Sequence, residues 1–186
     1  MREGELEFDF SAAKQAEKLD DKGKKLPEGM KFVDFVIEEE HGLIMLEIKD
    51  PSCQAKGGDA KAEAAMQKQR EEFIIKLHKD DWIAQDLTPK ARDSYTFLHL
   101  MERDAKPIVY VLLIGSEKSP LEPALLATFK DRLLAKVRHR SRSALGETIC
   151  FRLFGCHRKN LAYGVSRLSI DQTGIKQTTH IHQHSY

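Results

Sequence analysis

Apolar and polar positions between residues 31 and 50 form two short apolar runs, and this pattern predicts a β-hairpin. The runs flank a turn at residues 40–42, which ends in a glycine that accepts positive φ. Successive side chains of a strand point to opposite faces. The second strand should therefore present four residues on one face: Leu43, Met45, Glu47 and Lys49.

Three polar residues interrupt these apolar strands. Asp34 lies within the first run, and Glu47 and Lys49 lie in the second. Burying carboxylates and an ammonium is costly unless they pair with each other or bind a metal. Proteins usually keep such a cost at a functional site, so we expect one here. The alternative is a surface-edge hairpin in which Lys49 forms a cross-strand ion pair with Glu47 or Asp34.

The rest of the pattern predicts alternating helices and strands, and hence an α/β (α+β) fold with a mixed central β-sheet flanked by helices. The apolar run at 107–115 has no polar interruption and is predicted to be a central strand. The other predicted elements are a strand at 5–10, a short helix from the N-cap Ser11 to residues 20–21, helices at 59–79, 88–102 and 121–138, and late strands at 148–154 and 161–170.

Length and composition predict one compact domain. The chain has 186 residues, of which 41% are hydrophobic, enough to fill one core. We assign residues 1–178 to this domain and residues 179–186 to a His-containing C-terminal tail. No apolar run reaches 18 residues, the first residues lack an apolar signal core, and three cysteines are too few for a disulfide scaffold. A cytoplasmic protein without a membrane span is the expectation.

The polar positions of the hairpin resemble the signature of the PD-(D/E)xK nuclease superfamily. That signature is an acidic residue on one strand and a Glu/Asp-x-Lys triplet on the next. Here Asp34 matches the first acid, and Glu47-Ile48-Lys49 matches the triplet. Val33 stands where the family name has proline, which many members also lack. The order of the elements that follow extends the resemblance over about the first two-thirds of the chain.

The resemblance implies a restriction-endonuclease-like core and metal-dependent hydrolysis of phosphodiester bonds. It implies that Asp34 and Glu47 ligate Mg²⁺ or Mn²⁺, with the backbone carbonyl of Ile48 as a further ligand. Lys49 would orient the attacking water or stabilise the transition state, which makes Asp34, Glu47 and Lys49 the catalytic residues. A fourth acid is not evident. Glu17 and Asp20 on the predicted short helix are candidates, and solvated helix charges are the alternative.

Basic residues suggest where a nucleic acid, with DNA as the first expectation, would bind. Residues 1–50 hold 8 Lys or Arg against 14 Asp or Glu, whereas residues 130–160 hold 9 against 2. Cationic side chains that neutralise phosphates give affinity independent of sequence. The candidate contacts are Lys90 and Arg92 at the start of the second long helix and Arg138, Arg140 and Arg142 in the basic segment. Solvated helix charges and a salt-bridged surface turn are the alternatives.

Two further patterns resemble metal sites more weakly. Cys150, Cys156 and His157 have zinc-ligand residue types but no second pair at suitable spacing, so free thiols are the alternative. The histidines at 180, 182 and 184 could chelate a transition metal from an extended segment, and a loosely packed terminus is the alternative.

Three classes of function therefore remain from the sequence. The first is a metal-dependent nuclease, which in many such families acts as a homodimer. The second is a catalytically inactive protein with the nuclease fold that binds nucleic acid. The third is a regulatory or interaction protein, for example in a defence system, in which the ion cluster is structural.

Overall fold

The computed structural model describes residues 1–3, 6–21, 23, 27–51, 60–115, 121–140 and 149–156. Its strands are β1 (Arg2–Glu3), β2 (Leu6–Glu7), β3 (Gln15–Lys18), β4 (Phe35–Glu38), β5 (Leu43–Lys49), β6 (Ile108–Gly115) and β7 (Ile149–Cys156). Its helices are α1 (Ala60–His78), α2 (Asp80–Trp82), α3 (Thr88–Leu100) and α4 (Pro123–Arg140), with a π-helical turn, Ile83–Leu87, joining α2 to α3.

Five strands form one mixed sheet in the order β3-β4-β5-β6-β7. The first three strands pair antiparallel, and β5, β6 and β7 pair parallel. The predicted hairpin is thus β4 and β5, and the uninterrupted apolar run is β6, which lies between two parallel neighbours. The prediction of an α+β fold with a mixed central sheet flanked by helices is confirmed.

The helices pack on one face of the sheet. Helical crossovers connect β5 to β6 and β6 to the next parallel strand, β7. Crossovers of the same hand that proceed in the same direction along a sheet place their helices on the same side. Accordingly, alternate residues of β5 and β6 join helical side chains in one core. That core includes Leu43, Met45, Tyr110, Leu112, Phe73, Leu77, Ile83, Leu87, Leu98, Phe129 and Leu133.

The N-terminal segment covers the opposite face. The other alternate residues of β5 and β6, such as Ile44 and Val109, pack there with Phe8. Phe8 and Phe10 also lie against Phe35, with ring centroids 5.7 and 5.5 Å apart. The sequence predicted a strand over residues 5–10, but among the described residues 6–10 only Leu6–Glu7 is a strand, paired with Arg2–Glu3.

The short helix predicted from Ser11 to residues 20–21 is wrong, because Gln15–Lys18 is the edge strand β3. Pairing with β4 satisfies the backbone groups on one side of this segment, and its side chains point alternately to the two faces of the sheet. Ala16 packs on the face of the sheet opposite the helices, and Leu19 packs in the core between the sheet and the helices. Tertiary pairing therefore overrides the local preference for a helix.

The other predicted elements that fall on described residues are confirmed, with small shifts at their ends. α3 begins at Thr88 as predicted, but the π-helical turn directly precedes it, so residues 80–100 form one helical stretch and Thr88 does not cap a free helix end. The Thr88 N–H donates to the carbonyl of Ile83. The strand predicted at 161–170 and the tail at 179–186 lie outside the described residues. Among the helices described, none combines the length and the apolar character needed to cross a membrane.

Candidate active site

The hairpin brings Asp34 and Glu47 together. Asp34 directly precedes β4, and the pairing of Phe35 with Leu46 places Asp34 opposite Glu47 when the same register is continued. Residues directly opposite each other in adjacent strands point to the same face. The Ile48 N–H also donates to Oδ2 of Asp34 at 2.6 Å. The backbone thus holds both carboxylates on the helical side of the sheet.

Both carboxylates are removed from solvent. Asp34 is 4% exposed and Glu47 is 0% exposed. The side chain of Lys49, two residues further along β5 and at its carboxyl end, is 25% exposed. Asp34 and Glu47 form the buried floor of the site, and Lys49 lies at its partly open rim. The rim is at the carboxyl end of parallel strands, where ligands commonly bind.

Lys90 of α3 contacts both buried acids. Its Nζ lies 2.7 Å from Oε1 and 3.0 Å from Oε2 of Glu47, and 3.8 Å from Oδ1 of Asp34. Because one ammonium reaches both, the carboxylates converge on a common point. Lys90 was predicted as a phosphate contact at a helix start, but the structure places it inside the acidic cluster on a continuous helical stretch.

A second lysine extends the ion pairs toward the surface. Lys49 Nζ lies 2.8 Å from Oε1 of Glu47 and 3.3 Å from Oδ2 of Asp86, which is on the π-helical turn. The indole N–H of Trp82 donates to the same Asp86 oxygen at 3.2 Å. We call Asp34, Lys90, Glu47, Lys49 and Asp86 the ion network. Its charges alternate in sign from the buried end to the rim.

The environment raises the pKa of Asp34 to about 7. Burial is the largest cause and the negative charge of Glu47 is the second, while the charge of Lys90 and the Ile48 N–H act in the opposite direction. Burial and then the charge of Glu47 also raise the pKa of Tyr110, a fully buried residue of β6, well above its usual value. Both shifts mean that the buried part of the site disfavours additional negative charge.

The rim of the ion network favours charged side chains. Burial alone would lower the pKa of Lys49, but the charges of Glu47 and Asp86 outweigh it and raise that pKa above its usual value. Burial alone would raise the pKa of Asp86, but Lys49 and Lys90 outweigh it and lower that pKa. Lys49 therefore stays an ammonium at neutral pH.

A second group of carboxylates meets at Asp34. One oxygen each from Glu3, Asp20 and Asp34 lie within 4.8 Å of one another. Of the two candidates for a fourth acid, the structure brings Asp20 to the site. The carboxylate of Glu17 instead pairs with Arg103. Both residues lie in or after β3 rather than on a helix, so the predicted helical origin of the fourth acid is wrong.

These residues fit a hard divalent cation. Mg²⁺ prefers oxygen ligands. The Asp34 carboxylate belongs both to the ion network, with Glu47, and to the group that it forms with Glu3 and Asp20. The carboxylate oxygens of Glu3, Asp20 and Asp34 lie within 4.8 Å of one another, and a cation bound there would offset the repulsion between these charges. Sulfur and imidazole ligands, which zinc prefers, are not part of this set.

The remaining predicted residues lie elsewhere. Arg92 is exposed, and its Nη2 pairs with Oδ1 of the adjacent Asp93 at 2.7 Å, which is the salt-bridged turn given as its alternative. Arg138 and Arg140 belong to the last turn of α4, and Arg142 lies outside the described residues. Cys150 and Cys156 are on β7. His157 and the three tail histidines lie outside the described residues.

Sequence reasoning missed Asp86 and the role of Lys90. The signal was present as a spacing of four between Trp82, Asp86 and Lys90, which places side chains on one side of a helical stretch. A break between two predicted helices at residues 80–87 hid this spacing. The continuous helical stretch reveals it.

No protein-family model, curated protein or solved structure matches the chain. Function must therefore be inferred from the chemistry of the ion network and from the resemblance of the hairpin motif.

Proposed function

We propose that this protein is a metal-dependent nuclease of the PD-(D/E)xK type, with a restriction-endonuclease-like core and nucleic acid, DNA first, as its substrate. One observation carries the proposal. Asp34 and Glu47 converge on a common point, and the Lys49 ammonium lies 2.8 Å from Glu47. This is the residue set that the sequence motif implies, arranged on adjacent strands with the polar groups on one face.

The proposed roles follow from this arrangement. Asp34 and Glu47 would hold Mg²⁺ or Mn²⁺ with the backbone carbonyl of Ile48, and Asp20 would supply a further carboxylate. The cation, when bound, supplies Lewis-acid activation of the phosphoryl group and of a water. Lys49 would orient that water or stabilise the charge that develops on the phosphoryl oxygens. Asp86 positions Lys49, because its carboxylate lies 3.3 Å from the ammonium that Glu47 also contacts.

The test is cleavage of single- and double-stranded DNA and RNA with Mg²⁺ or Mn²⁺. Glu47→Gln and Lys49→Met should each lower the rate by about 10²-fold or more, since the first removes a proposed metal ligand and the second removes the ammonium proposed to act on the water or the phosphoryl oxygens. Lys106→Met is the matched control. Lys106 forms a comparable pair with Glu38, 2.6 Å long, at the other end of β4. Cleavage by Lys49→Met at the parent rate would contradict the proposal.

A second candidate function is a catalytically inactive protein that binds nucleic acid or acts as a regulatory or defence-associated partner. The position of Lys90 favours it, since its ammonium occupies the point on which the two carboxylates converge. Salt-dependent binding of DNA without metal-dependent cleavage, retained in Glu47→Gln, would support this candidate. Homodimer formation and a cytoplasmic location stay predictions of the sequence.

A further inference from the structure

Two lysines contact Glu47, but their other contacts differ. Lys49 has a second carboxylate, Asp86, at 3.3 Å, which lies toward the rim. The contacts of Lys90 in the ion network are to Glu47 and Asp34, the two proposed metal ligands. A cation that takes the oxygens of Asp34 and Glu47 therefore leaves Lys49 paired with Asp86 but takes the two carboxylates that Lys90 contacts in the ion network.

A divalent cation and the Lys90 ammonium exclude each other at this point. The ammonium lies 2.7 and 3.0 Å from the two oxygens of Glu47, so it occupies both oxygens of a buried ligand. Two positive charges a few ångströms apart repel strongly away from bulk water. The Lys90 side chain is 16% exposed and has a flexible four-carbon stem, so its ammonium has a route toward solvent.

We propose that Lys90 is an internal counter-ion that holds the metal-free site together and is displaced when a divalent cation binds Asp34 and Glu47. This inference rests on the proposed function, because it concerns the same ligands. Without metal, the ammonium neutralises carboxylates that would otherwise be buried and unpaired. With metal, its release opposes binding, so Lys90 weakens the metal affinity of the site and sets the metal concentration at which the site loads.

The experiment is a calorimetric titration of the full chain with Mn²⁺ alone. Lys90→Gln, which removes the charge but keeps a hydrogen-bond donor, should bind Mn²⁺ about tenfold more tightly than the parent protein. Lys90→Arg keeps the charge and should show no gain. Lys106→Met removes a lysine from a similar pair outside the site and should leave the affinity unchanged.

The outcomes separate this inference from the proposed function. If the parent protein binds Mn²⁺ and Lys90→Gln binds it equally or more weakly, the inference is wrong and the nuclease proposal stands. If only Lys90→Gln binds, Lys90 excludes metal from the parent site, and it is the nuclease proposal that fails. If neither protein binds Mn²⁺, both are wrong.

A measurement on the parent protein avoids dependence on the folding of a variant. The ammonium groups of ¹⁵N-labelled lysines are observed by NMR, and Lys90→Arg identifies the signal of Lys90. Saturating Mg²⁺, which is diamagnetic, should shift or broaden the Lys90 signal more than that of Lys106. A Lys90 signal that stays in place while Mg²⁺ binding saturates would overturn the inference.

Discussion

The backbone N–H of Ile48 donates a 2.6 Å hydrogen bond to Oδ2 of Asp34. This bond ties the entry of β4 to the middle of the Glu47-Ile48-Lys49 triplet on β5. It uses one oxygen of Asp34 and leaves Oδ1 toward Lys90. The bond therefore sets which oxygen of Asp34 faces the common point of the ion network.

Asp34→Asn should change the pH dependence of folding stability. The folded pKa of Asp34 is about 7 against an ordinary value of 3.8, so the folded state binds the proton more tightly than the unfolded chain does. The stability from this group is fully present below pH 3.8 and is lost as pH rises through 7. Asn cannot titrate, and its amide oxygen still accepts the Ile48 N–H. The free energy of unfolding of the variant, relative to that of the parent, should therefore increase by about 2–4 kcal/mol between pH 5 and pH 8.

Denaturant unfolding of both proteins at several pH values, without metal, measures this difference. Other groups titrate alike in both proteins, for example Glu38, whose pKa is lowered by its pair with Lys106. Their contributions cancel in the difference between the two stabilities. A difference that stays constant or shrinks as pH rises would show that the pKa of Asp34 is not raised.

Glu47→Gln should destabilise the metal-free protein. The substitution leaves the ammoniums of Lys49 and Lys90 close together without the buried carboxylate that binds both. Breaking a buried ion pair on one side costs about 3–5 kcal/mol. The double variant Glu47→Gln/Lys90→Gln also removes one of the two ammonium groups that have lost Glu47, so it should recover part of the lost stability. Urea unfolding of the four proteins of this double-mutant cycle gives the coupling energy, and strict additivity would exclude a direct interaction.

Asp86→Asn tests the positioning of Lys49. The ammonium loses its second anchor, so we expect cleavage to slow about tenfold through kcat, with little change in KM. Trp82→Phe removes only the indole donor to Asp86 and should have a smaller effect in the same direction. Asp80→Asn is the matched control, because Asp80 pairs with Lys136 on α4 at 3.4 Å, outside the ion network. Equal losses for Asp86→Asn and Asp80→Asn would indicate a general effect on the helices.

Gly115→Ala should disturb the rim of the site through Asp50, the residue that follows Lys49. A methyl group at Gly115, the last residue of β6, would collide with the carboxylate of Asp50, which follows Lys49. Because the carboxylate of Asp50 must shift while its Cα stays in ordinary contact, we expect a loss of about 1 kcal/mol in stability, the lower end of the cost of overpacking, and slower cleavage. At Gly23 a methyl group would meet Asp21 only at 3.5 Å, an ordinary contact, so Gly23→Ala is the control. Thermal unfolding and the cleavage rate measure the two effects, and a neutral Gly115→Ala would show that Asp50 moves freely.

The sequence predicted the hairpin, the central strand β6 and the long helices because their patterns are long or have a clear period. It also predicted the common face of Glu47 and Lys49, since alternation along one strand depends only on the backbone. The strand β3 was missed because Gln15–Lys18 shows its preference only when β4 pairs with it.

The contacts of the site itself depended on tertiary structure. Lys90 lies 43 residues from Glu47 in the sequence. Glu3, on β1, and Asp20, just after β3, reach Asp34 from a part of the chain where the pattern identified neither strand. No local rule connects such distant residues. The spacing of Trp82, Asp86 and Lys90 was visible, but its meaning required knowledge that one helical stretch carries all three.

The N-terminal segment links the two faces of the sheet. Phe8 and Ala16 cover the far face, whereas Leu19 enters the helical core and Asp20 reaches Asp34. A change that loosens the cover, such as Phe8→Ala, would therefore alter the position of an acid in the site without touching any residue of the ion network. Mutational screens of this protein should therefore find loss-of-function substitutions on the face of the sheet opposite the ion network.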